Sequence, residues 1–205
     1  MSIFIEGLLS GLLLACSLGP IFIALTQTSL EKGIKPGMTV GSGIWFSDIL
    51  IVYLAYKFIN KIQFTIESPS FIFWMGISGA IILILFGAVL LFKKPKLEYE
   101  NIKIKKSDYL GFWLKGFLVN TLNPFTLVFW TGVISTYMIG RKTNDGQMLL
   151  LLTTIISVIV LSDMFKVLLA HSLKKFLTPK HINLISNVSG IILIVFGLFW
   201  AYKVY

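Results

Sequence analysis

Charged residues are scarce in this chain of 205 residues. They make up 13% of it, against about 25% in a soluble domain. Hydrophobic residues make up 56%, and mean hydropathy is +0.86. This balance excludes a soluble enzyme and a disordered chain. It also excludes a nucleic-acid-binding protein, because the lysines behind the net charge of +9 lie between apolar runs. The composition indicates an integral protein of a lipid bilayer.

Metal ligands and redox groups are almost missing. Cys16 is the single cysteine, so no intramolecular disulfide can form. The two histidines, His171 and His181, are too few for structural zinc, which takes about four Cys or His ligands. The phosphate-binding pattern GxxxxGK[ST] is absent, and no paired histidines or Ser-His-Asp set share one depth. We therefore expect no cofactor and no enzymatic activity.

Long runs with little or no charge fill most of the chain. A helix needs roughly 20 apolar residues to cross a bilayer, and six runs approach or exceed that length. The predicted spans are 7–30, 36–56, 68–92, 116–140, 146–173 and 182–202. They leave little chain for anything but one transmembrane domain.

The distribution of basic residues predicts the orientation. Loops after spans 1, 3 and 5 hold eleven lysines, and the opposite side holds five basic residues. Cytoplasmic loops are the ones enriched in Lys and Arg. The largest contribution comes from residues 93–108, with six lysines and three acids, which we interpret as a solvated cytoplasmic loop. Both termini are then predicted to lie outside.

The chain contains an internal repeat. The sequence IILILFG at 81–87 returns as IILIVFG at 191–197, which are spans 3 and 6. In spans 2 and 5, Ser-Asp ending at Asp48 aligns with Ser-Asp ending at Asp163. Two apolar helices often share identical residues by chance, but an alignment of two intramembrane aspartates is much less frequent by chance.

The repeat unit holds three spans, so the second copy enters the membrane from the opposite side. Inverted repeats of this kind are common among secondary transporters, with the binding site near the midplane between the copies. We predict an all-α membrane protein of six transmembrane helices in two inverted three-helix repeats. Repeat one covers residues 1–92 and repeat two covers residues 109–205.

Prolines interrupt the first span of each copy, at Gly19-Pro20 and Asn123-Pro124. Proline breaks or kinks a helix and frees the carbonyl four residues earlier, so we predict that helices 1 and 4 are broken there. Non-helical backbone inside a membrane must line a protein or water cavity, and the start of a half-helix suits a carboxylate. The predicted pathway residues at the two breaks are Cys16, Ser17, Gly19, Pro20, Asn120, Thr121, Asn123 and Pro124. A packing kink is the alternative interpretation.

Asp48 and Asp163 lie near the middle of spans 2 and 5. A lone aspartate there costs about 2.5–3.5 kcal/mol on insertion scales, and binding a proton avoids that cost. Lys166 follows Asp163 by three residues on one helix face and can neutralise it, whereas Asp48 has Ile51 at that place. Our hypothesis is that Asp48 carries a proton and that Asp163 with Lys166 is closer to a structural pair. The alternative is that both aspartates only tie helices together.

These residues resemble the lysine-exporter family, the LysE/RhtB-type translocators of bacterial membranes. The resemblance spans essentially the whole chain and rests on the sequence SLGP at 17–20, the Gly-rich stretch ending in Asp48 and the sequence GFLVNTLNP at 116–124. It implies a six-span inner-membrane exporter of amino acids or related small metabolites, driven by proton antiport.

Other functions remain open at this stage. An ion or metal exporter should show clustered His, Cys or carboxylates, and a non-transporting scaffold or lipid-handling protein should tolerate loss of the aspartates. Glycine-rich helix faces let helices approach closely, and on that basis we expect a homodimer. The five tryptophans are interpreted as belt or packing residues.

Overall fold

The computed structural model describes residues 2–16, 19–66, 69–92, 105–141, 143–173 and 179–204. Within them the chain is helical, with eight α-helices and one π-helical segment. These elements are α1 Ile3–Ala15, α2 Pro20–Lys32, α3 Ile34–Ile66, α4 Pro69–Phe92, α5 Asp108–Thr121, α6 Pro124–Ile134, the π-helical segment Ser135–Gly140, α7 Asp145–Ser172 and α8 Pro179–Val204. Most of the basic loop predicted at residues 93–108 lies outside the described residues.

Two stretches are long and apolar enough to cross a membrane unaided: Ile34–Phe58 within α3, and the whole of α7. Two bent pairs pass the same test together. Helices α1 and α2 are bent by 66°, and α5 is bent by 62° from the stretch Phe125–Gly140. Among the described residues this makes two spans, or up to four when each bent pair counts as one. Helices α4 and α8 add the shorter apolar stretches Leu83–Phe92 and Ser186–Phe199.

The second predicted span, residues 36–56, differs more in length from its helix in the structure than the other spans do. Helix α3 runs for 33 residues, from Ile34 to Ile66, whereas charge placed the end of the span at residue 56. Lys57 and Lys61 end the apolar run, but lysine is a good helix former. The helix therefore continues past the apolar segment.

Glycines allow helices from the two halves of the chain to touch backbone to backbone. A Cβ atom on Gly43 of α3 would overlap the carbonyl of Trp113 of α5, and one on Gly116 of α5 would overlap the carbonyl of Val40. The contact of Val40 with Gly116 and the bond of Ser47 with Thr121 advance in the same sense along both helices, so α3 and α5 run parallel. Helix α1 runs parallel to α7 in the same manner, with Gly11 against the Ile155 carbonyl.

Helices α4 and α8 make the other extensive contact between the halves, and they run antiparallel. Gly87 lies against the carbonyl of Gly190, while Gly197 lies against the carbonyl of Ala80. Gly87 and Gly197 are equivalent in the internal repeat, as are Ala80 and Gly190. The two contacts therefore join residues that the predicted repeat treats as equivalent.

Helices α3 and α7 also run antiparallel, and the core lies around them. Trp130, Ile134, Leu151 and Ile155 are fully buried in one cluster of α3, α6 and α7. A second cluster joins α2, α3 and α7. Large apolar side chains cover the outside; Leu161, for example, is 66% exposed. Such an exposed apolar surface is expected where lipid replaces water.

Candidate functional site

Each helix break has a proline at the start of its second half. Helix α1 ends at Ala15 and α2 begins at Pro20; α5 ends at Thr121 and α6 begins at Pro124. Proline suits the first helical position because its missing N–H would have no partner there. The two breaks thus follow directly from the proline positions.

The ends of the two breaks are satisfied differently. Asn123 caps α6, with its Oδ1 accepting a bond of 3.1 Å from the backbone N–H of Phe125. The Asn120 carbonyl accepts a bond of 3.1 Å from the Asn123 N–H. Gly19 precedes α2 and has no side chain to cap it. No side chain among the described residues caps the first N–H groups of α2.

Asp48 of α3 lies beside the second break, with only 3% of its surface exposed. Two donors converge on its Oδ1: Nδ2 of Asn120 at 2.9 Å and Nε1 of Trp130 at 2.8 Å. Asn120 is itself held by Thr126, whose hydroxyl donates to its Oδ1 at 3.0 Å, and by the Ile44 carbonyl at 3.1 Å. Within the described residues, Oδ2 of Asp48 accepts no hydrogen bond. One carboxylate oxygen is fixed and the other is open.

Asp163 of α7 has both oxygens occupied. Its Oδ1 accepts from Nζ of Lys166 at 2.9 Å, and its Oδ2 accepts from Nε1 of Trp45 at 3.2 Å. Asp163 is 2% exposed, and the Lys166 side chain is 14% exposed. The predicted neutralising pair is present, and its aspartate is oriented by a tryptophan from α3.

Both aspartates line one cavity of about 30 Å³ between the two halves of the chain. Since a water molecule needs about 10–15 Å³ on this scale, the cavity has room for only a couple of waters. Its lining includes most of the pathway residues predicted from sequence, namely Gly19, Pro20, Asp48, Asn120, Asn123, Asp163 and Lys166. The breaks and the aspartates therefore meet at a single place.

The remaining predicted pathway residues lie elsewhere or outside the described part. Cys16 is exposed and does not line the cavity. Thr121 points its hydroxyl at that of Ser47, 2.7 Å away. Ser17 lies outside the described residues, and of Pro124 only the backbone is described.

Sequence reasoning missed three residues that hold the carboxylates in place. Trp130 and Trp45 were interpreted as belt or packing residues, and Thr126 was not singled out. Trp130 is fully buried, so it packs in the interior rather than at an interface, and its indole N–H binds Asp48. A tryptophan in an apolar span carries no signal that separates these roles.

A second polar cluster ties the two halves together away from the cavity. Oε2 of Glu6 on α1 accepts from the hydroxyl of Tyr137 at 2.5 Å and from the guanidinium of Arg141 at 2.6 Å. The guanidinium also lies over the Tyr137 ring. Nearby in the sequence, the hydroxyl of Tyr56 donates to Asp145 at 2.7 Å. These bonds join the start of α1 to the π-helical segment, and α3 to the start of α7.

Metal ligands do not cluster in the part of the chain that the structure describes. There, no group of three or more His, Cys, Asp or Glu side chains lies close enough to hold an ion. The cavity instead offers two carboxylates, one ammonium group and two amides. That donor set suits hydrogen-bonding and ionic groups of an organic solute.

Comparisons with known proteins place the chain in a family. The family model described as LysE type translocator matches residues 12–204. A relative named "Putative amino acid efflux protein YcgF", from Bacillus subtilis (strain 168), is 24% identical over 207 residues, covering 99% of this chain and 97% of that protein. No solved structure matches the chain. The chain therefore belongs to the LysE type translocator family, and it is a multi-pass membrane transport protein.

Proposed function

We propose that this protein is a secondary exporter of amino acids or related small metabolites across the bacterial inner membrane. Proton antiport drives it, and Asp48 carries the proton. The observation that carries the proposal is the open Oδ2 of Asp48 beside a cavity between the two halves. A carboxylate held by one oxygen can gain and lose a proton at the other without losing its position.

The directions of the helices support six spans arranged as inverted repeats. In a six-span chain, spans 1, 3 and 5 cross one way and spans 2, 4 and 6 the other. The parallel pairs α1 with α7 and α3 with α5 each join spans of one direction. The antiparallel pairs α4 with α8 and α3 with α7 join spans of opposite direction. Every one of these contacts fits two inverted three-span repeats, with spans 1 and 4 broken at their prolines.

The orientation proposed from the loops puts the Glu6–Arg141 cluster at the outer end of the molecule. The basic stretch containing Lys32 and Lys35 then faces the cytoplasm, as Lys-rich loops do. In alternating access the halves separate at one end at a time. The bonds from Glu6 to Tyr137 and Arg141 join the halves, so opening outward requires that they break.

The size of the cavity indicates how the cycle must run. A volume of about 30 Å³ cannot hold an amino acid, so the cavity must widen for a solute to enter. Opening to the cytoplasm admits the solute while Asp48 is ionised. Opening to the outside releases the solute and protonates Asp48, which then carries its proton inward.

The relative's name supports an amino acid as the solute. The relative has nearly the same length as this chain, and its printed name assigns it to amino acid efflux. The pairing of carboxylates with an ammonium group in the cavity is compatible with a solute that bears both charges. Amino acid export is thus the first activity to measure.

Inside-out vesicles provide the direct test, because an exporter loads them from the medium. Uptake of labelled leucine, threonine, lysine and glutamate is measured with and without an acidic lumen. The wild type should accumulate one or more of them when the gradient is present, and Asp48→Asn should lose the gradient-dependent part. Asp108→Asn is the matched control, since Asp108 accepts from the Lys105 backbone N–H at an exposed position and does not line the cavity. Gradient-driven uptake that survives in Asp48→Asn would remove Asp48 from its role.

The homodimer also stays a prediction. It was based on glycine-rich helix faces. Three of these glycines make close contacts within the chain instead: Gly43, Gly87 and Gly197. Light scattering of the detergent-solubilised protein measures the mass of the assembly and decides between one chain and two.

A further inference from the structure

We propose that Asp163 and Lys166 bind the charged backbone groups of the substrate, and that this substrate is an α-amino acid with an apolar side chain. The inference rests on the proposed export function and adds a substrate class to it. Lys166 takes the substrate carboxylate and Asp163 takes the substrate ammonium group. The pair seen here is the form that the site adopts between transport events.

The position of the pair is the first argument. Asp163 and Lys166 lie one helical turn apart on α7, joined by a bond of 2.9 Å, and both line the cavity that Asp48 also lines. A pair that only tied helices together would link two elements, whereas this one lies on a single helix. Both residues border the space where a solute would lie.

Charge balance is the second argument. The pair is neutral, and an α-amino acid is neutral with its two charges on neighbouring groups. Inserting the solute replaces one ion pair by two and brings no net charge into a poorly solvated site. An anion or a cation alone would leave one member of the pair unneutralised, which is costly in a buried position.

Substrate binding requires that Lys166 move away from Asp163 while Asp163 keeps its orientation, and neighbouring residues allow this. Trp45 holds Oδ2 of Asp163 at 3.2 Å, so the carboxylate keeps its orientation when Lys166 lets go. Lysine has a flexible four-carbon stem that allows its ammonium group to move. The start of α2, at Gly19 and Pro20, lines the same cavity and has no side-chain cap from the described part of the chain. Its helix dipole favours a carboxylate.

The other residues that line the cavity indicate what kind of side chain the substrate carries. Asp48 is assigned to the proton, Asn120 is bound to Asp48 and Thr126, and Asn123 caps α6. No charged group in the described lining is left for a charged side chain, which would be buried without a partner. Most of the other lining residues are apolar: Leu14, Ile21, Ile44, Phe125, Ile159 and Leu193.

The test compares leucine with two analogues that each lack one charge. Isopentylamine lacks the carboxylate of leucine, and 4-methylpentanoate lacks the amino group. Each competes for uptake of labelled leucine into proteoliposomes holding the purified full chain. Because hydrogen bonds to charged groups are the stronger ones, Lys166→Gln should weaken leucine binding by about tenfold or more. Isopentylamine, whose single positive charge is then balanced by Asp163, should compete at least as well as it does with the wild type. Lys115→Gln is the control, since Lys115 lies outside the cavity lining and bonds to Thr28.

A second variant guards against misfolding, because Lys166→Gln leaves Asp163 as an unpaired charge. Asp163→Asn with Lys166→Gln removes both charges together. It should fold and lose the preference for leucine over both analogues. Retention of that preference by the double variant, or equal weakening of leucine and isopentylamine by Lys166→Gln, would overturn the inference.

Two further outcomes separate this inference from the function it rests on. A wild type that prefers lysine or glutamate to leucine is still an amino acid exporter, but the apolar side chain is then wrong. A wild type that takes up no amino acid at all overturns the proposed function, and the inference with it.

Discussion

At the scale of single residues, Asp48 and Asp163 occupy equivalent repeat positions but have different surroundings. One oxygen of Asp48 accepts hydrogen bonds from two neutral donors, and no cation among the described residues is bonded to this carboxylate. One oxygen of Asp163 accepts a hydrogen bond from the Lys166 ammonium group, and the other accepts one from the Trp45 indole. The predicted repeat aligns the two acids, and their neighbours place them in different chemical surroundings.

Neutralising the two aspartates should therefore affect stability in opposite ways. Asp48→Asn keeps an oxygen for Asn120 and Trp130 and removes a buried charge, so its melting temperature in detergent should stay level or rise. Asp163→Asn strands the Lys166 ammonium group, and breaking a buried pair costs about 3–5 kcal/mol. Thermal unfolding of the purified variants measures both. Equal loss of stability in the two variants would contradict this difference in environment.

Trp130 offers a second test at this scale. Trp130→Phe keeps an aromatic ring in the core but removes the donor 2.8 Å from Oδ1 of Asp48. Loss of a hydrogen bond to a buried polar group costs about 1–3 kcal/mol, and gradient-driven uptake should fall with it. Trp113→Phe is the control, because Trp113 stacks on Phe117 away from the cavity. If both variants behave alike, Trp130 serves packing only.

At the scale of elements, glycine positions set how closely the halves approach. Gly116 of α5 faces the Val40 carbonyl of α3, while Gly111 on the same helix has nothing near its missing side chain. Gly116→Ala should destabilise the protein by about 1–3 kcal/mol, the usual cost of overpacking. Gly111→Ala should be neutral or stabilising by up to about 1 kcal/mol, since alanine favours helix. Thermal unfolding of the two variants compares them, and a stable Gly116→Ala would show that α3 and α5 pack less tightly than described.

Sequence patterns locate some elements better than others. Pro20 and Pro124 mark where α2 and α6 begin, because proline acts on its own helix through local geometry. The second span was predicted to end at residue 56, close to the end of the apolar stretch at Phe58, whereas α3 continues to Ile66 because charge limits an apolar run and not a helix. The π-helical segment Ser135–Gly140 has no counterpart in the sequence reasoning.

The candidate site was predictable only where its chemistry is rare in a membrane. Intramembrane aspartates and asparagines stand out against an apolar background, so Asp48, Asp163 and Asn120 could be named in advance. Trp45, Trp130 and Thr126 could not be, because the same residue types serve packing throughout the chain. Which of two carboxylate oxygens is open depends on three-dimensional contacts alone.

At the scale of the whole molecule, the proposed six-span topology predicts which side each loop faces. In a Cys16→Ser background, Lys57→Cys and Lys106→Cys place single thiols at exposed positions. A membrane-impermeant thiol reagent should label Lys57→Cys in intact cells and Lys106→Cys only in inside-out vesicles. The opposite pattern would invert the orientation, and labelling of both from one side would contradict the inverted repeat.

The central claim is that solute export and proton movement are coupled through Asp48. Proteoliposomes loaded with the exported amino acid and a pH-sensitive dye test it in one reading. Efflux down its gradient should acidify the lumen in the wild type as protons move the other way, and Asp48→Asn should show no such acidification. Efflux without proton movement in the wild type, or unchanged proton movement in Asp48→Asn, would contradict the account.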